Sequence, residues 1–375
     1  MAAGNLDLLI KPASGLCNLR CRYCFYRDLQ QHGAGGFGLM SRDIMETLVR
    51  RSLDLAYSCI SYSFQGGEPT LSGLDFFRAF TEAVDACRQP GQTVSYAIQT
   101  NGMVLDEEWA SFLKERGFLV GLSMDGPREY HDANRIDPEG EGTHKRVLQV
   151  WRMLRKAGVE TNLLTVLNKT TARHPQQIYS YMKSIGADYL QFIACLDPLE
   201  AERGGEEYSL SPERYGSFLC GLFDCWLQDW RAGRYISIRQ FDDWIHNLAG
   251  MPVSTCMSTG RCGEYLVIEA DGSAYPCDFY VTSEHRLGTV LESTMSELSE
   301  RAASFISESL QLPDACLSCP YAAACRGGCR RDRVFRGGVP FENYFCSAYR
   351  RLFAHAWEDM KEIAALERRA YRGRN

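Results

Sequence analysis

The sequence predicts an α/β fold, in which a partial (β/α)6 barrel of the TIM type precedes a loop-rich, cysteine-dense C-terminal domain. Six strand-like segments alternate with helix-like segments between residues 6 and 194, which indicates a parallel sheet with right-handed crossovers. From about residue 256, short hairpins, loops and closely spaced cysteines replace that pattern. We therefore predict two domains, residues 1–234 and residues 235–375.

The strands are predicted from short apolar or alternating runs, several of which end at Gly, Asn or Asp. They are Leu6–Lys11, Ile60–Gln65, Val94–Thr100, Phe118–Met124, Thr161–Leu167 and Asp188–Ala194. A later hairpin is predicted at Tyr265–Glu269 and Ser273–Pro276, because Asp271-Gly272 between two alternating runs favours a tight turn.

The helices are predicted from apolar residues at helical spacing. Ser41 and Asp106 are predicted N-caps, because each is soon followed by an acidic or helix-forming residue. The predicted helices are Ser41–Tyr57, Gly73–Cys87, Asp106–Arg116, Thr143–Ala157, Ala172–Ile185, Ser211–Arg231 and a final amphipathic helix from about Ala348 to Arg368.

The composition argues against nucleic-acid and membrane proteins. A net charge of −6, with most Lys and Arg residues scattered, offers no basic stripe for a nucleic-acid backbone. No run of about 18 apolar residues predicts a membrane span, and the first ten residues lack the features of a secretory signal. We therefore expect a cytoplasmic protein. In a reducing compartment its 16 cysteines indicate metal or cluster ligation rather than disulfides.

Three cysteines, Cys17, Cys21 and Cys24, lie within eight residues directly after the first predicted strand. Thiolates suit iron–sulfur clusters or zinc. Three ligands on a four-iron cluster leave one iron to bind a chelating small molecule, whereas a structural zinc site needs a fourth nearby ligand. His32, in a glycine-rich loop, is the one histidine within reach. The spacing favours the cluster and leaves zinc as the alternative.

Three further motifs end predicted strands, where a parallel barrel places its chemistry. Gly66-Gly67-Glu68-Pro69 follows the second strand, Gln99–Gly102 ends the third and Ser123–Gly126 ends the fourth. We expect these motifs to share one rim with the cysteine triplet. The alternative for the glycine-rich motif and for Asp125-Gly126 is an ordinary strand-end turn.

The segment Cys17–Tyr26 resembles the signature loop of the radical S-adenosylmethionine (SAM) superfamily, whose three cysteines bind a 4Fe–4S cluster. The resemblance implies that SAM chelates the open iron and that an electron from the cluster cleaves SAM to a 5′-deoxyadenosyl radical. It also implies an aromatic residue beside the adenine and a glycine-rich motif at the methionine amine. The predicted SAM-binding residues are Tyr23, Gln65, Gly66, Gly67, Glu68, Ser123, Asp125 and Leu196.

Eight cysteines follow residue 255, the number that two fully ligated 4Fe–4S clusters require. Their pattern resembles the twin-cluster SPASM domain. That resemblance, and not the spacing, implies that Cys256, Cys262, Cys277 and Cys329 bind one auxiliary cluster and that Cys316, Cys319, Cys325 and Cys346 bind the other. A pair of zinc sites is the alternative. The predicted cofactors are three 4Fe–4S clusters and SAM.

The other five cysteines lie in predicted strands and helices, and a buried free cysteine behaves as a small hydrophobic residue. We expect all five in the core: Cys59, Cys87, Cys195, Cys220 and Cys225.

Longer stretches, between about residue 7 and residue 350, resemble the anaerobic sulfatase-maturating enzymes. They include Leu9–Ser14, Phe64–Thr70, Val120–Pro127, Gln191–Leu199 and Tyr275–Tyr280. That family converts a Cys or Ser of a target sulfatase to Cα-formylglycine without oxygen. The resemblance implies that the deoxyadenosyl radical removes a Cβ hydrogen, that a base takes the thiol or hydroxyl proton and that an auxiliary cluster accepts the second electron.

Asp278 is the predicted base, because it follows the predicted ligand Cys277 and matches the family's catalytic Asp. The alternative is a carboxylate that only accepts backbone hydrogen bonds near the cluster. Fully ligated auxiliary clusters have no open iron for a substrate, so we expect them to carry electrons.

Two other functions compete with sulfatase maturation. One is a radical peptide-modifying enzyme such as a thioether-forming maturase, but the first strand begins near Leu6 and leaves no room for a preceding leader-binding module. The other is a non-catalytic zinc scaffold. For sulfatase maturation the expected partners are an unfolded or nascent sulfatase segment of the Cys/Ser-x-Pro-x-Arg type and an electron donor such as flavodoxin or ferredoxin. A monomer is expected.

Overall fold

The structure is a computed structural model that describes residues 4–27, 38–53, 57–336 and 339–372. The chain forms two compact units. The first contains Met1–Met124, His131–Asn162 and Glu264–Ser304, and the second contains Asp125–Tyr130, Leu163–Gly263 and Phe305–Asn375. The domain boundary near residue 235 stays a prediction. No described helix combines the length and apolar character needed to cross a membrane.

The first unit contains a sheet in which β1, β2, β3 and β4 are parallel neighbours and β8 pairs with the other side of β1, also in parallel. The antiparallel strands β9 and β10 continue that side. The bounds are β1 Asn5–Ile10, β2 Cys59–Phe64, β3 Thr93–Thr100, β4 Phe118–Ser123, β8 Tyr265–Ile268, β9 Ser273–Tyr275 and β10 Gly288–Thr289. The pairing of β8 with β1 brings Glu269 beside Lys11, whose amide donates to the carbonyl of Ile268 (2.8 Å).

In the second unit, β6 lies between β5 and β7, and all three are parallel. Their bounds are Thr161–Leu167 for β5, Tyr189–Ala194 for β6 and Ser237–Ile238 for β7. A separate antiparallel pair joins β11 (Arg333–Arg336) to β12 (Val339–Asn343). All six strands predicted between residues 6 and 194, and the later hairpin, are confirmed; each of the six lies within one residue of its predicted bounds.

The helices confirm the predicted alternation. Asp106 caps its helix as predicted, because its Oδ1 accepts a hydrogen bond from the Trp109 amide (3.0 Å). The helices are α1 Arg42–Leu53, α2 Leu74–Cys87, α3 Glu107–Glu115, α4 Arg128–Asp132, α5 His144–Ala157, α6 Pro175–Ser184, α7 Pro212–Arg231, α8 Arg239–Ala249, α9 Cys256–Thr259, α10 Met295–Glu308, α11 Asp314–Leu317, α12 Ala322–Cys325 and α13 Cys346–Arg372.

The predicted helix Ala172–Ile185 is wrong at its start. A short 3-10 turn, Thr171–Arg173, precedes α6, and His174 between them has φ −129° and ψ 49°. Pro175 explains the break, since its ring excludes helical backbone at the preceding residue and proline has no amide hydrogen to donate.

The prediction that five cysteines are core residues is also wrong in part. Cys195 is buried, but Cys59 is exposed at the first position of β2, where its sulfur accepts a hydrogen bond from the Thr93 hydroxyl (3.1 Å). A strand alternates its two faces and its first residue has few neighbours, so an apolar run does not bury every member.

Replacing Asp106 with Ala removes the oxygen that caps α3. We expect the free energy of local opening of α3 to fall by about 1 kcal/mol, which is roughly a fivefold faster exchange of its amides. Hydrogen exchange of the peptide that covers α3 measures this change. Asp106→Asn keeps an acceptor oxygen and should stay near wild type; equal losses in both variants would contradict the capping role.

Candidate active site

The cysteine triplet lies in the loop after β1, in the first unit. Cys17 Sγ accepts hydrogen bonds from the Leu19 amide (3.4 Å) and from Asn101 Nδ2 (3.7 Å). The amides of Arg20 and Arg22 donate to backbone carbonyls at residues 136 and 134 (2.7 and 3.0 Å), which holds the middle of the loop. None of the three cysteines forms a disulfide, and each is partly exposed. His32, considered above as a zinc ligand, lies outside the described residues.

The glycine-rich motif after β2 is packed directly on this loop. The amides of Gly67 and Glu68 donate to the carbonyls of Ser14 and Leu16, each at 2.7 Å. A Cβ atom on Gly67 would lie 2.2 Å from the Leu16 oxygen, and one on Gly66 would lie 2.6 Å from the Ser14 oxygen. The close packing against the cysteine loop therefore explains why residues 66 and 67 are glycines. The predicted contact of both glycines with SAM stays a prediction.

Glu68 joins this motif to the end of β3. Its buried carboxylate accepts hydrogen bonds at Oε1 from the Thr70 amide (3.2 Å), the Thr70 hydroxyl (2.6 Å) and the Thr100 hydroxyl (2.7 Å). Oε2 accepts from the Asn101 amide (2.7 Å). Burial raises the pKa of the Glu68 carboxyl, against the lowering effect of these hydrogen bonds. Asn101 also donates to Asn18 Oδ1 (2.8 Å), so the ends of β2 and β3 both hold the cysteine loop.

The remaining predicted SAM-binding residues are divided between the units. In the first unit, Tyr23 is buried under the Arg135 guanidinium, 5.6 Å from the ring centre, and Ser123 is the buried last residue of β4. In the second unit, Asp125 is buried and accepts a hydrogen bond from the Val166 amide (2.9 Å), while Leu196 is half-buried after β6. Their contacts with SAM remain predictions.

Asp278, the predicted base, is buried in the first unit with an exposed fraction of 3%. Its Oδ2 accepts a hydrogen bond of 2.5 Å from the Tyr26 hydroxyl and a longer one of 3.3 Å from Gln65 Nε2. Gln65 also donates to the Tyr26 oxygen (2.9 Å). Burial and the adjacent Asp278 charge raise the pKa of Tyr26 well above its usual range, so its phenol stays a donor. The alternative prediction is that the Asp278 carboxylate accepts only backbone hydrogen bonds. It does not hold, because Tyr26 and Gln65 donate through their side chains.

A buried ion pair completes the surroundings of Asp278. Lys11 Nζ lies 2.5 Å from Glu269 Oε1 and 3.6 Å from Asp278 Oδ1, and both Lys11 and Glu269 are almost fully buried. Asp278 Oδ1 has no hydrogen-bond partner in the described part of the chain. This oxygen is buried, and the Lys11 ammonium is the charged group beside it.

Sequence reasoning missed Lys11, Tyr26 and Glu269. Lys11 directly follows the apolar residues of the first predicted strand. A charged residue in that position indicates a buried partner of opposite charge, and it is the one signal in the sequence that does so. The partners themselves lie about 250 residues away in the chain, so no local pattern identifies them.

Four cysteines of the second unit line one cavity of about 470 Å³: Cys316, Cys319, Cys325 and Cys346. No other cysteine lines it. Burial raises the pKa of Cys325 to about 12 and that of Cys346 to about 11. Since these are the four residues that the SPASM resemblance assigns to one cluster, the soft sulfur donors fit the group expected there.

The four cysteines of the other predicted set are placed separately. Cys256, Cys262 and Cys329 belong to the second unit, and Cys277 belongs to the first. Asp243 fixes the turn before Cys256: its carboxylate accepts hydrogen bonds from the amides and hydroxyls of Ser254 and Thr255 at 2.5–3.1 Å. Within the described ranges no three His, Cys, Asp or Glu side chains are arranged to hold a single metal ion.

Comparison with known proteins assigns the cysteine-rich zones. Residues 12–182 match the model of the radical SAM superfamily, and residues 256–320 match an iron–sulfur cluster-binding domain, SPASM. The cysteine-type anaerobic sulfatase-maturating enzyme of Clostridium novyi is 43% identical over 354 residues, which cover 93% of this chain and 94% of that protein. The serine-type enzyme of Bacteroides thetaiotaomicron is 32% identical, over 93% of this chain and 89% of its own.

A solved structure described as native anSMEcpe with bound AdoMet and Kp18Cys peptide superposes with a TM-score of 0.92 at 42% identity. The superposition covers 96% of this chain and 99% of that one. The predicted α/β fold with its parallel strands and C-terminal cluster-binding domain is confirmed.

Replacing Gly67 with Ala should displace the cysteine loop. Because Cβ atoms essentially never approach within 3.0 Å of another heavy atom, the 2.2 Å contact requires a shift of about 0.8 Å. A misplacement of that size costs on the order of 10²-fold in reaction rate. We expect SAM cleavage by the dithionite-reduced enzyme to fall by about that factor, measured as 5′-deoxyadenosine together with iron per chain.

Gly4→Ala is the matched control, since among the described residues a Cβ there meets only the Tyr57 ring, at an ordinary contact distance of 3.6 Å, and Gly4, like Gly67, has no positive φ. SAM cleavage at the wild-type rate in Gly67→Ala would show that the loop does not depend on this packing.

Proposed function

Because the chain belongs to the anaerobic sulfatase-maturating enzymes, a family of the radical SAM superfamily, we propose that its natural target is a cysteine. It is a radical SAM enzyme that oxidises a residue of a target sulfatase to Cα-formylglycine by abstraction of a Cβ hydrogen. The higher identity to the cysteine-type relative, 43% against 32% for the serine-type, supports the choice of cysteine. The comparisons favour this activity over the thioether-forming alternative.

We assign the cofactor ligands as the resemblance implies them. Cys17, Cys21 and Cys24 hold the cluster that binds SAM, and the eight C-terminal cysteines hold the two auxiliary clusters in the interleaved sets given above. When bound, SAM and the clusters supply the 5′-deoxyadenosyl radical that takes the Cβ hydrogen and the acceptor for the second electron.

Asp278 takes the thiol proton in this proposal. Its Oδ1 carries no hydrogen bond within the described residues, while Tyr26 and Gln65 hold Oδ2, so Oδ1 is the acceptor that we assign to the target thiol. A thiol, whose ordinary pKa is near 8.5, is a far weaker acid than a carboxylic acid, so the transfer alone is unfavourable. Loss of the second electron, which turns the carbon–sulfur bond into a double bond, removes the product of that transfer and drives it forward. Water then hydrolyses the resulting thioaldehyde to formylglycine and hydrogen sulfide.

The substrate segment is proposed to be unfolded or nascent, with a Cys-x-Pro-x-Arg pattern, because an extended segment can bring its target Cβ to a radical formed beside the cysteine triplet. An electron donor such as flavodoxin or ferredoxin is proposed to reduce the first cluster. A cytoplasmic monomer is proposed from the composition, and none of the 16 cysteines forms a disulfide.

The reconstituted enzyme, incubated without oxygen with SAM, dithionite and a Cys-x-Pro-x-Arg peptide, should convert Cys to formylglycine with one 5′-deoxyadenosine formed for each conversion. Mass spectrometry of the peptide measures this. The Ser peptide should react more slowly, and an Ala peptide should not react. Deoxyadenosine without any change of the Cys peptide would contradict sulfatase maturation and indicate another peptide substrate.

Replacing Asp278 with Asn should separate SAM cleavage from formylglycine formation. Formylglycine should form on the order of 10²- to 10⁴-fold more slowly, since a general base is lost, while SAM cleavage continues. Deoxyadenosine and peptide mass are measured side by side. Asp271→Asn, in the turn between β8 and β9, is the control carboxylate. An iron-replete Asp278→Asn enzyme that makes formylglycine at the wild-type rate would leave Asp278 as a hydrogen-bond acceptor only.

A further inference from the structure

Arg333, the first residue of β11, is a buried cation with an unusual set of partners. Its guanidinium donates hydrogen bonds to the carbonyl oxygens of Ser309 (2.5 Å), Gln311 (3.2 Å), Gly327 (3.4 Å) and Gly328 (3.1 Å). The residue is only 7% exposed. In the described part of the chain no carboxylate forms an ion pair with it, so its positive charge is solvated by neutral carbonyls.

These carbonyls belong to the segments that carry cluster ligands. Gly327 and Gly328 lie between Cys325 and Cys329, one from each predicted set. Both glycines have positive φ (82° and 65°), and Cβ atoms on them would come within 2.4 and 2.8 Å of neighbouring side chains. The Ser309 hydroxyl accepts a hydrogen bond from the Cys262 amide (2.8 Å). Arg333 thus ties together the segments that hold the two sets of cysteines.

The positions of these carbonyls place the Arg333 charge beside both sets. Gly327 and Gly328 are each within three residues of Cys325 and Cys329. Ser309, which accepts from Arg333 at its carbonyl, also holds the Cys262 amide through its hydroxyl. Arg330 provides a contrast, because it directly follows Cys329 and its guanidinium is paired with Glu308 (2.8 Å).

We propose that Arg333 is a positioning residue whose permanent charge raises the reduction potentials of both auxiliary clusters. Reduction adds one negative charge to a cluster, and a buried cation nearby stabilises that charge. The electron comes from the deprotonated substrate radical, whose carbon–sulfur bond becomes a double bond as one auxiliary cluster is reduced. The proposal rests on the ligand sets assigned under the proposed function.

The test is a redox titration of both auxiliary clusters, followed by electron paramagnetic resonance on the reconstituted full chain without SAM or peptide. In Arg333→Gln the equilibrium for reduction of each cluster should become about tenfold less favourable, which is about 59 mV for a one-electron couple. Arg333→Lys keeps the charge and should restore most of the difference. In Arg330→Gln only one of the two potentials should fall.

Iron per chain is measured for every variant. Arg333→Gln with full iron and both potentials unchanged would overturn the proposal, and so would a fall in one potential only. If Arg333→Gln binds too little iron, Gln311→Glu replaces it, because this exposed side chain adds a negative charge near the guanidinium and leaves its four hydrogen bonds in place. Both potentials should then fall by a smaller amount, and no change in either would overturn the proposal.

The ligand sets are tested separately by Cys316→Ser, which should remove one of the two auxiliary signals. Loss of both signals would contradict the sets without bearing on the charge effect. Neither titration uses a peptide, so a failure to oxidise the Cys peptide is distinguishable from a failure here.

Discussion

In the first unit, the position of the cysteine loop depends on two backbone hydrogen bonds, in which Gly67 and Glu68 hold Ser14 and Leu16. A loop outside a sheet has no ladder of its own, so its position is set by whatever groups its backbone meets. Here those groups are at the end of β2, and the loop approaches so closely that neither Gly66 nor Gly67 tolerates a Cβ atom. The carboxylate of Glu68 extends the same connection to β3. Three strand ends of one parallel sheet therefore fix the cysteine triplet.

Buried charge is arranged in opposite ways in the two units. In the first, one ammonium, Lys11, is shared by two carboxylates, Glu269 and Asp278, which leaves a net negative charge at the carboxylate that we propose as the base. In the second, the guanidinium of Arg333 donates to four carbonyl oxygens and forms no ion pair within the described residues, which leaves a net positive charge near the proposed ligands of the auxiliary clusters. Unbalanced buried charge is costly for stability. Both exceptions occur in the parts of the chain to which we assign chemistry.

Strands and cysteine zones could be predicted because their signals are local. An apolar run and a turn residue define a buried parallel strand, and three closely spaced thiols define a ligand loop. Pro175 was equally visible in the sequence, and its effect on His174 follows from sterics alone, so the continuous helix predicted there was an avoidable error. Cys59 shows that an apolar run does not predict burial at every position, because the place of a residue within the strand decides its exposure.

The side chains that support the site could not be predicted in the same way. Glu68 was assigned to a cofactor from its motif, yet its described partners are Thr70, Thr100 and Asn101. Lys11 and Tyr26 gain their partners from the far end of the chain, because β8 pairs with β1. Arg333 is one of many scattered arginines until folding surrounds it with four carbonyls. Local sequence patterns contain no information about such contacts.

Cys346, the last of the proposed cluster ligands in the chain, is also the first residue of α13, a helix of 27 residues. Farther along, Tyr349 and Phe353 pack edge-on against Trp244 of α8, with ring centres 5.8 and 5.4 Å apart. Apolar packing thus fixes the direction from which this thiol enters its cavity. Metal loading therefore need not order this ligand, and its conformational entropy is lost during folding and not during cluster insertion.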